Sequence, residues 1–107
     1  MIPQITAKQL AARLAAGERF YLLDVRQPVE HALAALPGST LIPLNQLPAR
    51  CAEIHVPEGS TLVVYCHHGI RSQHAGIFLA QHGFTPLSLE SGIEAWSVEV
   101  DQSIPRY

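Results

Sequence analysis

The 107-residue sequence has little charge and no marked excess of one sign. Only 15% of the residues are Asp, Glu, Lys or Arg, and the formal net charge is −2. There is no cluster of Lys and Arg, which argues against a surface that binds the phosphates of a nucleic acid. The longest apolar run, 62–66, is far shorter than the roughly 20 residues that cross a bilayer. We therefore expect neither a nucleic acid nor a membrane as a partner.

Cysteine is scarce as well, with Cys51 and Cys66 as the two thiols. No Cys-x-x-Cys or His-x-x-x-His spacing occurs, so we expect no metal site, and no feature predicts another cofactor. The first residues lack the basic start and apolar stretch of a signal peptide, which predicts a cytoplasmic protein with reduced thiols. We expect Cys51 to be a small apolar side chain on the inner face of its helix. The alternative is that Cys51 forms a disulfide with an oxidised Cys66.

What the sequence does contain is typical of one globular α/β domain spanning 1–107. Apolar residues make up 48% of the chain, and its length suits a single core. The predicted strands are 20–25, 40–42, 61–65 and 86–89, and the predicted helices are 5–16, 29–33, 45–54, 72–82 and 92–97. Such alternation predicts a mainly parallel, doubly wound sheet with helices on both faces. Residues 98–107 form a tail without a clear pattern.

Cys66 directly follows the most strand-like segment, at the end of the strand where parallel sheets bind ligands. Three features nearby favour a thiolate. The helix that follows offers free amides and the positive end of its dipole. Gly69 permits a tight loop with inward-facing N–H groups, and Arg71 adds a permanent positive charge. Because a free cysteine has a pKa of about 8.5, these features favour a nucleophile at Cys66 over an inert buried cysteine.

The seven residues of this loop are Cys66, His67, His68, Gly69, Ile70, Arg71 and Ser72. They resemble the active-site loop of rhodanese domains, whose usual form is Cys-x-x-Gly-x-Arg-Ser. Three further segments resemble motifs of that family in the same order, namely 23–26, 36–44 and 89–96. The resemblance covers about 4–97 and implies a rhodanese-like fold with five strands. The departures from the family pattern lie outside the loop, at Ala34, Ala35, Leu41 and Ser91.

This resemblance implies a sulfurtransferase with Cys66 as the catalytic nucleophile and 67–72 as the loop that binds its persulfide. The donor would be a small sulfur anion, either thiosulfate or a low-molecular-weight persulfide. The acceptor would be cyanide or a thiol, including a thiol on a protein. One alternative is a relay that passes sulfur between partner proteins with little small-molecule turnover. An arsenate reductase or phosphatase is less favoured, because Cys66 and Arg71 are separated by one residue fewer than in the phosphatases that share this fold. An inactive binding module is disfavoured because it usually lacks the cysteine.

Three of the loop side chains have roles that the sequence leaves open. Arg71 either holds an anionic donor or braces the loop against a carboxylate such as Glu90. His67 and His68 either touch the substrate or, as is more usual at these loop positions, point to solvent and tune specificity.

Other motif residues are expected to support the structure. Asp24 and Arg26 would hold neighbouring loops through charge-assisted hydrogen bonds. Trp96 would anchor the core near the site, and Glu30 matches a frequent acidic position of the family.

Overall fold

Five strands and five α-helices alternate along the chain in the computed structural model, which describes residues Met1–Tyr107. The strands are β1 (Gln4–Ile5), β2 (Arg19–Asp24), β3 (Thr40–Leu41), β4 (Ser60–Tyr65) and β5 (Leu87–Leu89). The helices are α1 (Ala7–Ala15), α2 (Pro28–Leu33), α3 (Leu47–Arg50), α4 (Ile70–Gln81) and α5 (Gly92–Glu99).

The strands form one sheet in the order β1-β5-β4-β2-β3. Every neighbouring pair is parallel, so the predicted five-stranded doubly wound sheet is confirmed and is wholly rather than mainly parallel. From β2 the chain moves outward to β3, and it then returns to β4 on the other side of β2. Ligands bind at the carboxyl edge of such a reversal point. Asp24 pairs with Tyr65 there, so the loops after β2 and β4 leave the sheet side by side.

The alternation of β4 divides the core between the two faces of the sheet. Val63 and Tyr65 belong to a cluster that includes residues of α1 and α5. Leu62 and Val64 belong to a second cluster with residues of α3 and α4. All four side chains are buried, and burying each one stabilises the fold by roughly 1.5–3 kcal/mol. The apolar pattern of β4 therefore reflects a central strand covered on both sides.

Strand β1 was not among the predicted elements, because the sequence placed the start of a helix at Ile5. The structure begins α1 after Thr6, whose hydroxyl accepts a hydrogen bond from the Gln9 amide at 3.1 Å. In turn, the Thr6 amide donates to Oε1 of the Gln9 side chain at 2.9 Å, which completes a capping box. The two residues before this cap pair with β5. Two residues are too few to show the alternation that identifies a strand.

The single helix predicted for 45–54 is broken into three pieces. A 3₁₀ turn at Leu44–Gln46 precedes α3, and a second 3₁₀ turn at Cys51–Glu53 follows it. Pro48 lies in the first turn of α3, as expected, but Asn45 does not cap that helix. Because Pro48 has no N–H for the carbonyl of Leu44, that carbonyl instead accepts from the amide of Leu47, one residue earlier.

The last part of the chain is more ordered than the sequence indicated. Helix α5 continues to Glu99 rather than ending at Ser97. Ile104 packs against the core cluster on the α1 and α5 face, and the Ser97 hydroxyl donates to its carbonyl. None of the helices combines the length and the apolar character needed to cross a membrane.

Candidate functional site

The sulfur of Cys66 lies at the carboxyl end of β4, facing backbone amides of the loop that follows. The amide of Gly69 donates to Sγ at 3.1 Å and the amide of Ser72 at 3.4 Å. Both amides belong to the start of α4, where the helix dipole adds partial positive charge. Amides that donate to the sulfur in this way are suited to stabilising negative charge on it. The residue itself is only 1% exposed.

Gly69 is needed at the turn into α4 for two reasons. Its φ of +102° lies in the left-handed region that favours glycine. A Cβ at this position would also come within 3.2 Å of the Ser91 amide nitrogen. The loop therefore closes tightly against the segment that follows β5.

The N-terminus of α5 holds the loop in its inward-facing conformation. The amide of Ile93 donates to the Cys66 carbonyl at 2.9 Å, and the amide of Glu94 donates to the His67 carbonyl at 3.2 Å. With these two carbonyls directed at α5, loop amides are left to face the sulfur. Gly92 makes the approach possible, because a Cβ there would overlap both carbonyl oxygens. On the same helix the buried Trp96 packs into the core, the place expected of it.

Two buried hydroxyls lie beneath the sulfur. Ser72 Oγ is 3.7 Å from Cys66 Sγ, 3.1 Å from the Gly69 carbonyl oxygen and 2.7 Å from Ser88 Oγ. Ser88 comes from β5 and was not singled out in the sequence, where a serine inside a short strand gives no signal. Hydroxyl hydrogens rotate, so this pair can donate toward an anionic sulfur or accept from a thiol.

Arg71 is paired with Glu30, and the predicted pairing with Glu90 is wrong. Its guanidinium donates to the two carboxylate oxygens of Glu30 at 2.7 and 2.9 Å. Helix α2 follows the end of β2 directly and so carries Glu30 to the loop after the adjacent strand. Glu90 is exposed and takes part in no ion pair. The bidentate contact is the bracing arrangement, one of the two expected for Arg71.

This contact fixes the charge of Glu30. Hydrogen bonds from Arg71, helped by one from the Gln27 amide at 3.0 Å, outweigh burial and lower the pKa of Glu30 to about 2. The carboxylate therefore stays ionised, and the pair stays formed, at neutral pH.

A second charged network lies at the end of β2. Arg26 and Asp24 are both fully buried and share two side-chain hydrogen bonds, of 2.9 and 2.7 Å. Arg26 also donates to the Ala34 carbonyl, and Asp24 is 2.8 Å from Nδ1 of His31. Burial opposes the charge of Arg26, but hydrogen bonding to Asp24 and Tyr107 overcomes it and raises the pKa of Arg26. The network ties the loop after β2 to the segment that follows α2.

Tyr107 joins the two networks, although the sequence gave no reason to place it at the site. Its hydroxyl lies 2.6 Å from Nη1 of Arg26 and 3.0 Å from Oε2 of Glu30. Its ring stacks on His67 with centroids 3.9 Å apart. His67 is thus partly buried and not solvent-facing, contrary to expectation. Its burial and, to a smaller extent, the charge of the neighbouring His68 lower the pKa of His67. His68 is exposed, as expected.

A shallow cavity of about 440 Å³ opens beside these rings. Its lining contains an ion pair between Glu94 and Arg106 and the side chains of His68 and Tyr107. A small polar molecule can therefore approach the loop from this side. Cys51, by contrast, lies partly buried against the cluster on the α3 and α4 face.

Comparison with known proteins identifies the family. Residues 6–99 match the model of the Rhodanese-like domain. A sulfurtransferase of Allochromatium vinosum is 37% identical over 98 residues, which cover 91% of this chain and 90% of that protein. A rhodanese-related protein from Thermoplasma volcanium has the same fold, with a TM-score of 0.79, 29% identity and coverage of 96% of this chain and 95% of that one.

Longer proteins also contain a similar domain. The probable adenylyltransferase/sulfurtransferase MoeZ of Mycobacterium tuberculosis is 32% identical over 104 residues. Those residues cover 96% of this chain but only 26% of MoeZ. The chain thus spans about a quarter of that relative and nearly all of the Allochromatium vinosum protein.

Neighbouring substitutions at the loop–α5 contact should have opposite effects. Ser91 has a left-handed φ of +59°, so Ser91→Gly should stabilise the protein by about 0.5 kcal/mol and raise Tm by about 2–4 °C. Gly92→Ala should lower stability by at least about 2 kcal/mol, because its Cβ meets the loop carbonyls. Thermal unfolding followed by circular dichroism checks both. A Gly92→Ala protein as stable as the parent would contradict the packing described here.

The Glu30–Arg71 pair should make stability fall in acid. The pKa of Glu30 drops from 4.5 to about 2 on folding, so its contribution is complete above pH 4.5 and is lost as the pH falls toward 2. Urea unfolding between pH 5 and 3 should show a decline that is shallower in Glu30→Gln by about 1–2 kcal/mol. Glu53→Gln, in the exposed pair with Arg50, is the matched control and should change the decline much less, because solvent screens an exposed pair. Equal declines in the parent and Glu30→Gln would exclude the contribution.

Proposed function

The chain belongs to the rhodanese-like sulfurtransferase family, and from that premise we propose that Cys66 carries a sulfane sulfur as a persulfide. One observation carries the proposal: Cys66 Sγ lies within 3.4 Å of two inward-facing amides, in a loop whose carbonyls are held by α5. Such a loop stabilises a sulfur anion before and after it accepts a second sulfur.

The first half of the reaction loads the sulfur onto the enzyme. The Cys66 thiolate attacks the outer sulfur of thiosulfate, an S–S bond forms, and the S–S bond of the donor breaks. Sulfite leaves with the bonding electron pair, and the enzyme holds Cys66–S–S⁻. With a persulfide R–S–S⁻ as donor, the same attack releases the thiolate R–S⁻.

The second half returns the enzyme to its starting state. A nucleophilic acceptor attacks the outer sulfur of the persulfide, and the electron pair of the broken S–S bond returns to Cys66. Cyanide leaves as thiocyanate, and a thiolate acceptor leaves as a new persulfide. Both halves are nucleophilic displacements at sulfur, so the enzyme follows ping-pong kinetics and the loop needs no separate base.

The charges at the mouth of the loop favour a thiol persulfide over thiosulfate as the donor. Each nearby arginine already faces a carboxylate: Arg71 faces Glu30, and Arg106 faces Glu94. A compact dianion would have to displace one of these carboxylates, which costs the ion pair. A thiol persulfide can enter without doing so, because its reacting end carries at most one negative charge.

A relay between proteins is the second candidate. Three apolar side chains beside the site are exposed, Ile70 in the loop by 70%, Val29 on α2 by 67% and Leu33 by 55%. Apolar side chains around an active-site loop suit contact with a partner protein. Because the arginines are paired, we also expect weak turnover of thiosulfate, which is what a relay would show. A phosphatase or arsenate reductase is disfavoured, because four residues separate Cys66 from Arg71.

Intact mass spectrometry tests the proposal. Protein incubated with thiosulfate, cysteine persulfide, or a cysteine desulfurase and cysteine should gain one sulfur, about 32 Da, and lose it again to cyanide. Cys66→Ala should gain nothing, whereas Cys51→Ser, the matched control at the other thiol, should load normally. Loading from the desulfurase alone would favour the relay. No loading from any donor would refute the sulfurtransferase.

The donor preference is tested by releasing Arg71 from its carboxylate. Glu30→Gln removes the negative charge that competes with an anionic donor, so KM for thiosulfate should fall about threefold to tenfold, equivalent to roughly 1 kcal/mol. KM for cysteine persulfide should change less than about twofold by the same reasoning. A Glu30→Gln enzyme with a raised KM for thiosulfate would contradict the charge argument.

A further inference from the structure

The sulfur of Cys66 is shielded from solvent, because the residue is only 1% exposed. Any donor has to pass the mouth of the loop to reach it. One rim of that mouth is formed by Glu30 near the start of α2, with the fully buried Arg26 close by. The other rim is formed by His67 in the loop itself.

Tyr107 reaches from one rim to the other. On the first rim its hydroxyl accepts from Arg26 Nη1 at 2.6 Å and donates to Glu30 Oε2 at 3.0 Å. On the second rim its ring lies against His67, with centroids 3.9 Å apart and planes only 10° from parallel. A side chain that touches both rims is placed to obstruct a donor that enters between them.

The segment that carries Tyr107 packs against the core at Ile104 and is exposed beyond it, where Arg106 also pairs with Glu94. Ile104 packs against the core and receives a hydrogen bond from Ser97. After Ile104 the chain is exposed, with the Arg106 side chain 65% and Tyr107 39% accessible.

The contacts of Tyr107 with Glu30 and His67 are partly exposed and contribute little stability each. The hydrogen bond from the buried Arg26 Nη1 is the one that water has to replace when Tyr107 leaves. Tyr107 can therefore leave the mouth while the fold stays intact.

We propose that Tyr107 is a gate that determines which donors reach Cys66. In the closed position seen here it spans the two rims, and it swings outward about the Ile104 anchor to admit a donor. That the molecule admitted to Cys66 is a sulfur donor rests on the proposed function. The gating itself concerns access to Cys66 and applies to any reagent that attacks or is attacked by its sulfur.

Alkylation by iodoacetamide, a small neutral reagent, measures that access without any sulfur transfer. In the full chain, Tyr107→Ala should raise the alkylation rate of Cys66 about fivefold or more, because reactivity scales with the open fraction. Tyr107→Phe keeps the ring on His67 and loses both hydroxyl contacts. Its alkylation rate should therefore lie between the rates of the parent protein and Tyr107→Ala. Gln102→Ala, an exposed position in the same segment, should match the parent protein.

Cys51 provides an internal reference, because it belongs to the 3₁₀ turn after α3 and neither to the loop nor to the segment that carries Tyr107. Peptide mass spectrometry resolves the two thiols, and the Cys51 rate should be the same in all variants. An unchanged Cys66 rate in Tyr107→Ala would overturn the gate. An equal rise at Cys51 would also overturn it, because the substitution would then have loosened the whole fold.

Donor size provides the readout for specificity. If Tyr107 narrows the mouth, Tyr107→Ala should increase kcat/KM for glutathione persulfide at least about threefold more than for thiosulfate, since only the larger donor is hindered. Equal gains for both donors would contradict a role in selection. If no donor loads Cys66 while alkylation remains gated, the proposed function fails and the gate stands.

Discussion

The geometry of the site depends on one constraint, which is that the carbonyls at the start of the loop point away from the sulfur. The amides of Ile93 and Glu94 hold the carbonyls of Cys66 and His67 in this direction by donating hydrogen bonds to them. Only then do amides of the loop face Sγ. The constraint explains why Gly92 has no room for a side chain. A helix distant in sequence thus sets the electrostatics around Cys66 Sγ.

The charged groups around this loop are paired rather than free. Arg26 with Asp24 and Arg71 with Glu30 join the ends of β2 and β4 to helix α2. Burying such charges is favourable only when each has a partner, so the pairs fix the loops next to the sulfur. The amides, and not a free cation, are then the groups that face the sulfur. The ion pairs thus stabilise the loops at the carboxyl edge of the sheet, and those loops in turn position the amides around the sulfur.

Local patterns in the sequence predicted the features that local physics determines. The apolar run of β4, the cap at Thr6 and the turn at Gly69 each depend on neighbours within a few residues. Contacts between segments that are far apart in the sequence could not be predicted from such local patterns. Arg71 and Glu30 are 41 residues apart, and the choice of Glu30 over Glu90 depends on where α2 lies over the sheet. Tyr107 lies 81 residues from Arg26, in a segment with no periodicity to indicate its return to the site.

The central claim is that the loop amides hold a persulfide on Cys66. A crystal structure of the protein after incubation with a sulfur donor measures this most directly. The account predicts a second sulfur bonded to Sγ, with amide nitrogens of 67–72 within about 3.5 Å of it. A loaded protein whose extra sulfur sits on another residue, or points out of the loop into solvent, would contradict it.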